Sequence, residues 1–372
     1  MNSSLRLAVI KGIPVEIHIS WLLIFFLLSI SLAQGYFPEI VEGYSNMVYW
    51  AAAIITTLIV FASVLTHEFG HSLVALKEGI PIKKITLFIF GGVAQMESEP
   101  NNPSTEFKVT AAGPITSLLI AVLTGAIYYL MLSPGLLISE SILFVARVNL
   151  IMAVFNMVPA FPLDGGRLFR SVVWYFSKNM LTATRISVGF GSFLSFLIMA
   201  LGFAMIFFQG NILGLWLIFI GWMIYQAGQS SYSQLVFKET FAGMKVSELM
   251  SKELQTISPD ATLDELADAF LHYKYGAFPV VYGSTTHGIV SLQNMKDIPR
   301  EKWAETRVSQ ILTPLKETMV LKPDTDAAEV MMRMATENTG RALVMKNGDL
   351  VGLLSRTDMM RFMQMHMVLG SD

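Results

Sequence analysis

The chain has 372 residues, of which 53% are hydrophobic and only 15% charged. Soluble globular chains carry about 25% charged residues, so this depletion, together with long apolar runs, points to a multi-spanning membrane protein. A net charge of -2 with no basic patch gives no footing for nucleic-acid binding, and the absence of cysteine excludes disulfides, thiolate metal ligands and a cysteine nucleophile.

Hydropathy predicts six spans, at roughly 19–36, 47–76, 107–132, 139–158, 188–208 and 212–229. The second is too long for a perpendicular crossing, so its last turns emerge from the bilayer or lie inside the bundle. Arg6 and Lys11 precede the first span, Lys77, Lys83 and Lys84 follow the second, and Arg167, Arg170, Lys178 and Arg185 follow the fourth. The opposite loops, 37–46, 133–138 and 209–211, contain no Lys or Arg. This asymmetry predicts a multi-pass protein of the cell membrane with N- and C-termini in the cytoplasm. A cleavable signal ending near Ser31-Leu32-Ala33 is the competing reading of the first run; an uncleaved helix keeps the even span count that a cytoplasmic C-terminus needs.

Between the second and third spans, the run from Ile85 to Phe90 is β-rich and ends in Gly91-Gly92. It is too short to cross. A strand pair against or dipping into the membrane is expected, and it offers a candidate edge to an extended substrate. The expected fold class is therefore a polytopic α-helical membrane protein with a membrane-associated β segment and a soluble α/β tail.

From about residue 238 the chain turns charged and periodic, and two halves repeat at about 62–64 residues. Val246-Ser-Glu-Leu matches Val308-Ser-Gln-Ile, Ile257-Ser-Pro-Asp matches Leu321-Lys-Pro-Asp, and Gly288-Ile-Val-Ser matches Gly352-Leu-Leu-Ser. The expected domains are 1–237 in the membrane, then 238–300 and 301–372.

The chemistry concentrates in His67-Glu68-Phe69-Gly70-His71, inside the second apolar run. On a helix, histidines at i and i+4 lie about 40° apart, so both rings reach one metal. Glu68 lies about 100° round, placed to act on water rather than to ligate. Ionisable groups in a span are costly and usually functional, and a bound zinc supplies a reason for three of them. A polar cluster lining a transport path is the competing reading. Catalytic zinc takes three protein ligands, and without cysteine the third is His, Asp or Glu. His272, His287 and His366 lie in the tail. His18 opens the first span, and Asp164 lies at the cytoplasmic end of the fourth, level with the His pair. Asp164 is the favoured ligand over a loop-capping role. Asn156 carries an amide in an apolar helix, either for substrate or oxyanion contact or as interhelical glue. Gly113-Pro114 and Ser117 form a small-residue face read as packing, and Arg147 and Asn149 are read as structural.

HExxH on a membrane helix, Gly113-Pro114 in the next span and Asn156-x-x-Pro-x-x-Pro-Leu-Asp164-Gly-Gly-Arg167 together resemble the site-2 protease family of intramembrane zinc metalloproteases (peptidase M50-like). The tail resembles a tandem pair of cystathionine-β-synthase (CBS) domains. The resemblance implies a zinc metalloendopeptidase with His67, His71 and Asp164 as ligands and Glu68 as general base. It implies membrane-spanning protein substrates, such as membrane-bound regulators or remnant signal peptides, cut in regulated intramembrane proteolysis. It also implies ATP or AMP between the CBS repeats, or a homodimer formed through them. The family's ribose-binding acid falls in Ser355-Arg-Thr-Asp358. The first repeat has Ser291-Leu-Gln-Asn294, so one competent nucleotide site is expected. The rival function is a CBS-regulated metal transporter with a transient His/Asp site.

Overall fold

Lys11 and Gly12 form a two-residue turn with both φ values positive, 50° and 82°. Such turns match the twist of a hairpin, and this one joins β1 (Ser4–Ile10) to β2 (Ile13–His18), where the sequence suggests only a charged lead-in to the first span. The computed structural model describes residues 4–89, 91–131, 135–337 and 339–369 and divides the chain into two units, Met1–Ser233 and Gln234–Asp372. Phe90 and Leu132, at the ends of the expected strand segment and third span, and the side chain of His366 lie outside the described residues.

In the first unit, β2 pairs in parallel with β3 (Ile82–Phe88), and β3 pairs antiparallel with β4 (Gly91–Met96), giving the order β1-β2-β3-β4. The expected strand pair is present, but its edge lies elsewhere. Val15, Glu16 and Ile17 occupy one side of β3 and β4 occupies the other, so the stretch from Ile85 is interior to the sheet. Among the described residues the free edge on this side is β4.

The helices are α1 (Ser20–Ser31), continued by a π-turn into α2 (Phe37–Ile40), then α3 (Asn46–Lys77), α4 (Pro103–Leu130), α5 (Leu137–Asn156), α6 (Asp164–Ser177), α7 (Met180–Gln209) and α8 (Gly214–Phe241). Asn102 caps α4, accepting the Thr105 N–H at 2.8 Å ahead of Pro103 at the first helical position. Among the described residues five segments are long and apolar enough to cross a membrane: Ser20–Ile40, Asn46–Lys77, Pro103–Leu130, Leu137–Asn156 and Met180–Gln209. The expected sixth span falls in α8. That helix is long, but Gln226, Gln229, Ser230 and Ser231 dilute its second half, and it is not among the five.

The distribution of polarity is inverted relative to a soluble protein. Leu119, Leu123, Phe193 and Phe207 point outward and are exposed, while Thr57, His71, Ser117 and Asn149 are buried between helices. Apolar exteriors with hydrogen-bonded polar interiors are what a hydrocarbon solvent selects. At the end of α3, Glu78 accepts Lys108 Nζ at 3.0 Å and Thr105 Oγ1 at 2.8 Å, tying α3 to the start of α4. Those two donors hold the Glu78 carboxyl below its ordinary pKa.

The second unit begins within α8. It contains α9 (Val246–Leu249), α10 (Leu263–Tyr273), β5 (Ala277–Tyr282), β6 (Thr285–Ser291), α11 (Leu292–Met295), β7 (Thr313–Pro314), β8 (Val320–Leu321), α12 (Ala327–Thr336), β9 (Arg341–Lys346), β10 (Asp349–Ser355) and α13 (Arg356–Leu369). The strands form two sheets, β5-β6-β7 and β10-β9-β8; β7, which lies beyond residue 300, completes the sheet of the first repeat. Two cores form: Leu263, Leu266, Phe278 and Val290 are joined by Val308 in one, and Val330, Met334, Val344 and Leu354 by Val246 in the other, so the opening segment of each repeat packs with the body of its neighbour.

Candidate metal centre

Four turns of α3 lie between Thr57 and His71, and its buried face carries Thr57, Ser63, His67 and His71 towards the neighbouring helices. The spacing of the two histidines brings their Nε2 atoms 3.2 Å apart. Asp164, the first residue of α6, places Oδ2 3.3 Å from His67 Nε2 and 3.2 Å from His71 Nε2. His67, His71 and Asp164 are the group of potential metal ligands found among the described residues. His18 is elsewhere: its Nδ1 lies 2.7 Å from Ser20 Oγ, at the junction of β2 and α1.

The outer nitrogens show how the rings are held. His71 Nδ1 donates to the Val109 carbonyl at 2.8 Å, and His67 Nδ1 lies 2.7 Å from Ser117 Oγ. A carbonyl can only accept, so the His71 proton resides on Nδ1 and its Nε2 lone pair points inward. When Ser117 accepts likewise, two lone pairs and a carboxylate oxygen converge with no proton among them. Such a cluster repels itself unless a cation sits within it. Tetrahedral zinc with bonds of about 2.0–2.1 Å requires ligand atoms about 3.3–3.4 Å apart, close to the three separations seen here. Gly113 supplies room: a Cβ there would overlap His71 Nε2 and lie 2.7 Å from His67 Nε2. The donor set and the space around it thus fit zinc.

Glu68 is oriented by the sheet edge. Its Oε2 accepts the Ala94 N–H of β4 at 3.1 Å, and a Cβ at Gly92 would come 2.5 Å from its Cγ. Since Ala94 donates outward, the unpaired edge of β4 faces the reactive end of α3. Asn156, the last residue of α5, is half-buried, and its amide has no hydrogen-bond partner among the described residues. Arg147 donates to the Tyr36 hydroxyl at 3.0 Å, and Asn149 to Ser63 Oγ at 3.0 Å. Ser117, Gly113 and the Val109 carbonyl border the two rings, a placement that sequence reasoning did not assign. The small-residue signal at Gly113 and Ser117 was visible, but it does not distinguish helix packing from ligand support.

In the second unit a cleft of about 790 Å³ is lined by Tyr275, Gly276, Arg341, Ser355, Thr357 and Asp358. Ser355 Oγ donates to Asp358 Oδ2 at 2.5 Å, and the Asp358 N–H returns to Ser355 Oγ at 3.1 Å. Partial burial holds the Arg341 guanidinium below its ordinary pKa, with the Asp358 charge opposing. The matching Asn294 is engaged differently: it accepts from Ser291 and donates to the Ile311 carbonyl at 2.9 Å and to Thr313 Oγ1 at 3.3 Å.

The profile of peptidase family M50 matches residues 55–139 and 133–201, and that of the CBS domain matches 246–300 and 308–364. The zinc metalloprotease MJ0392 of Methanocaldococcus jannaschii is 32% identical over 98% of this chain and 97% of its own. The Rip3 protein of Mycobacterium tuberculosis is 31% identical over 98% of this chain and 94% of its own. This chain belongs to peptidase family M50. A solved site-2 protease from Methanocaldococcus jannaschii is 30% identical, covering 62% of this M50 peptidase and 95% of that chain, with a TM-score of 0.42. As a member of family M50 with a tandem CBS tail, the chain is a zinc metalloprotease, and this membership favours hydrolysis over metal transport.

Proposed function

We propose that this M50 peptidase is an intramembrane endopeptidase that hydrolyses peptide bonds within or near membrane-spanning segments of other proteins, with one zinc held by His67, His71 and Asp164. The observation that carries this reading is the convergence of His67 Nε2, His71 Nε2 and Asp164 Oδ2 at 3.2–3.3 Å between helices long and apolar enough to cross a membrane. When bound, zinc acidifies water to a pKa near 7 and polarises a peptide carbonyl. Glu68 takes the water proton on its carboxylate and passes it to the leaving amine. The Ala94 N–H steadies that carboxylate, and Gly92 leaves room for its methylene. Asn156 offers an uncommitted amide to the substrate backbone or the tetrahedral oxyanion. α8 crosses as a sixth span, which returns both termini to the cytoplasmic side. Reconstituted vesicles containing the full chain and a single-span substrate provide the test. The reading requires zinc-dependent cleavage that mass spectrometry maps to the substrate's apolar segment; cleavage confined to its soluble part would refute it.

A helix must unwind before hydrolysis, and strand addition to β4 would present the unwound segment beside Glu68. The cysteine-free background makes this measurable. A single cysteine at Val93 should cross-link to a cysteine scanned along the substrate with a two-residue period. A period of three to four residues would mean that the substrate stays helical.

The CBS tail is proposed to bind one adenine nucleotide, ATP or AMP, in the cleft that contains Ser355 and Asp358, and so to regulate access to the membrane site; a homodimer through the tail is the accompanying proposal. Asn294 already spends both ends of its amide on the chain, which supports a single site. In titrations of the full chain, Asp358→Ala should weaken nucleotide binding about tenfold or more, since an uncompensated hydrogen-bonding site loses roughly 1.5–3 kcal/mol. Asn294→Ala should leave affinity unchanged. Equal losses from both would point to two sites.

A further inference from the structure

Asp164 belongs to a helix of 14 residues that follows a loop at 157–163, yet its Oδ2 is equidistant from two histidines on another helix. Something must set α6 against that neighbourhood. Its own glycines bind it only to the preceding loop: a Cβ at Gly166 would come 2.5 Å from Phe161 Cα. Besides direct packing of α6 against α4, one link to the rest of the site is ionic. Glu106, in the first turn of α4, is fully buried. Its Oε1 accepts Arg170 Nε at 2.8 Å and Arg170 Nη2 as well, with Arg167 Nε at 3.8 Å. Arg170 also reaches Thr184 Oγ1 of α7 at 3.5 Å and lies over the Phe161 ring at 4.9 Å.

The place of Glu106 on α4 is informative. Residues 106, 109, 110, 113 and 117 line one buried face of that helix. Val109 fixes His71, Gly113 leaves room beside both rings, and Ser117 meets His67. The same face that orients the histidines therefore grips the helix carrying Asp164. A buried ion pair is poor at adding stability, because desolvation offsets most of its attraction and well-packed apolar residues do as well. Its advantage is direction: two donors of one rigid guanidinium, Nε and Nη2, converge on Glu106 Oε1, which fixes angle as well as distance.

We propose that the Glu106–Arg170 pair, flanked by Arg167, is a positioning device that sets α6 against α4 so that Asp164 Oδ2 meets both histidine Nε2 atoms. This rests on the reading of Asp164 as a zinc ligand. Neither Glu106 nor Arg170 touches substrate or metal; both act through Asp164.

The test uses the full-length protein in detergent, with zinc affinity measured against a chromophoric chelator and thermal unfolding measured on zinc-free protein. Arg170→Ala strands a buried carboxylate and risks misfolding, so the decisive variant removes both charges, Glu106→Leu with Arg170→Met. It should unfold at nearly the wild-type temperature when zinc-free and bind zinc roughly 10–100-fold more weakly, as loss of ligand-orienting partners does elsewhere. In an Asp164→Ala background the same double change should cause no further loss. Wild-type zinc affinity in the double variant would overturn the proposal, as would an equal further loss without Asp164. A collapse of zinc-free unfolding in both the double variant and Arg170→Lys would also overturn it, making the pair a stability element. If Asp164→Ala alone binds zinc normally, it is the ligand reading that fails.

Discussion

A Glu68→Gln protein is expected to keep its zinc and lose cleavage by about 10²–10⁴-fold, the usual contribution of a positioned general acid–base. The amide has nearly the shape of the carboxylate, so Gly92 still accommodates it and Ala94 still has an oxygen to donate to. What disappears is the capacity to hold a proton between its removal from water and its delivery to the amine. His67, His71 and Asp164 are untouched, so metal content measured by mass spectrometry should equal that of wild type. Cleavage within tenfold of wild type would show that another group moves the proton. Loss of zinc along with activity would place Glu68 among the ligands.

The second large effect is expected from the smallest substitution. Gly113→Ala should weaken zinc binding by at least about 100-fold, beyond the cost of a single orienting partner. The added methyl would overlap His71 Nε2 and approach His67 Nε2 to 2.7 Å. Neither ring can retreat without releasing its outer bond, to the Val109 carbonyl or to Ser117. Gly125 on the same helix provides the control, since a Cβ there meets nothing within 4 Å. Gly125→Ala should bind zinc as wild type does. Equal affinities in the two variants would mean that the rings have slack that their hydrogen bonds do not suggest.

The parts of this site that were legible in the sequence are those whose meaning is local. Two histidines one turn apart in an apolar run declare a shared ligand face, because helix geometry and the cost of burying charge act within five residues. The proximity of Asp164 to the pair was legible once the absence of cysteine directed the search for a third ligand to His, Asp or Glu and the loop charges suggested a common depth. The supporting residues were not legible, because their partners are distant in the chain. Glu106 looks like an ordinary acid in a first helical turn, and Arg170 like one more cytoplasmic charge, until α4 and α6 are brought together. Ser117 and Gly113 read as packing residues, because small residues serve helix approach everywhere in membranes.

The β segment shows the same division. The run from Ile85 reads correctly as strand. Nothing in it reveals that β2, some 70 residues earlier, would cover one side and pass the free edge to β4. That partner was hidden because a short N-terminal stretch before an apolar helix reads as flanking charge rather than as a hairpin. α8 differs for a compositional reason: its apolar half is followed directly by Gln226 and Gln229, so hydropathy and helix length disagree about where the membrane would end.

The most direct measurement on the zinc centre is X-ray absorption at the zinc edge of the purified full-length protein, with Asp164→Ala as its partner sample. A two-imidazole, one-carboxylate shell is expected, with N and O distances of about 2.0–2.2 Å and loss of the carboxylate contribution in the variant. A three-imidazole shell, or a spectrum unchanged by Asp164→Ala, would contradict the account and return attention to His18.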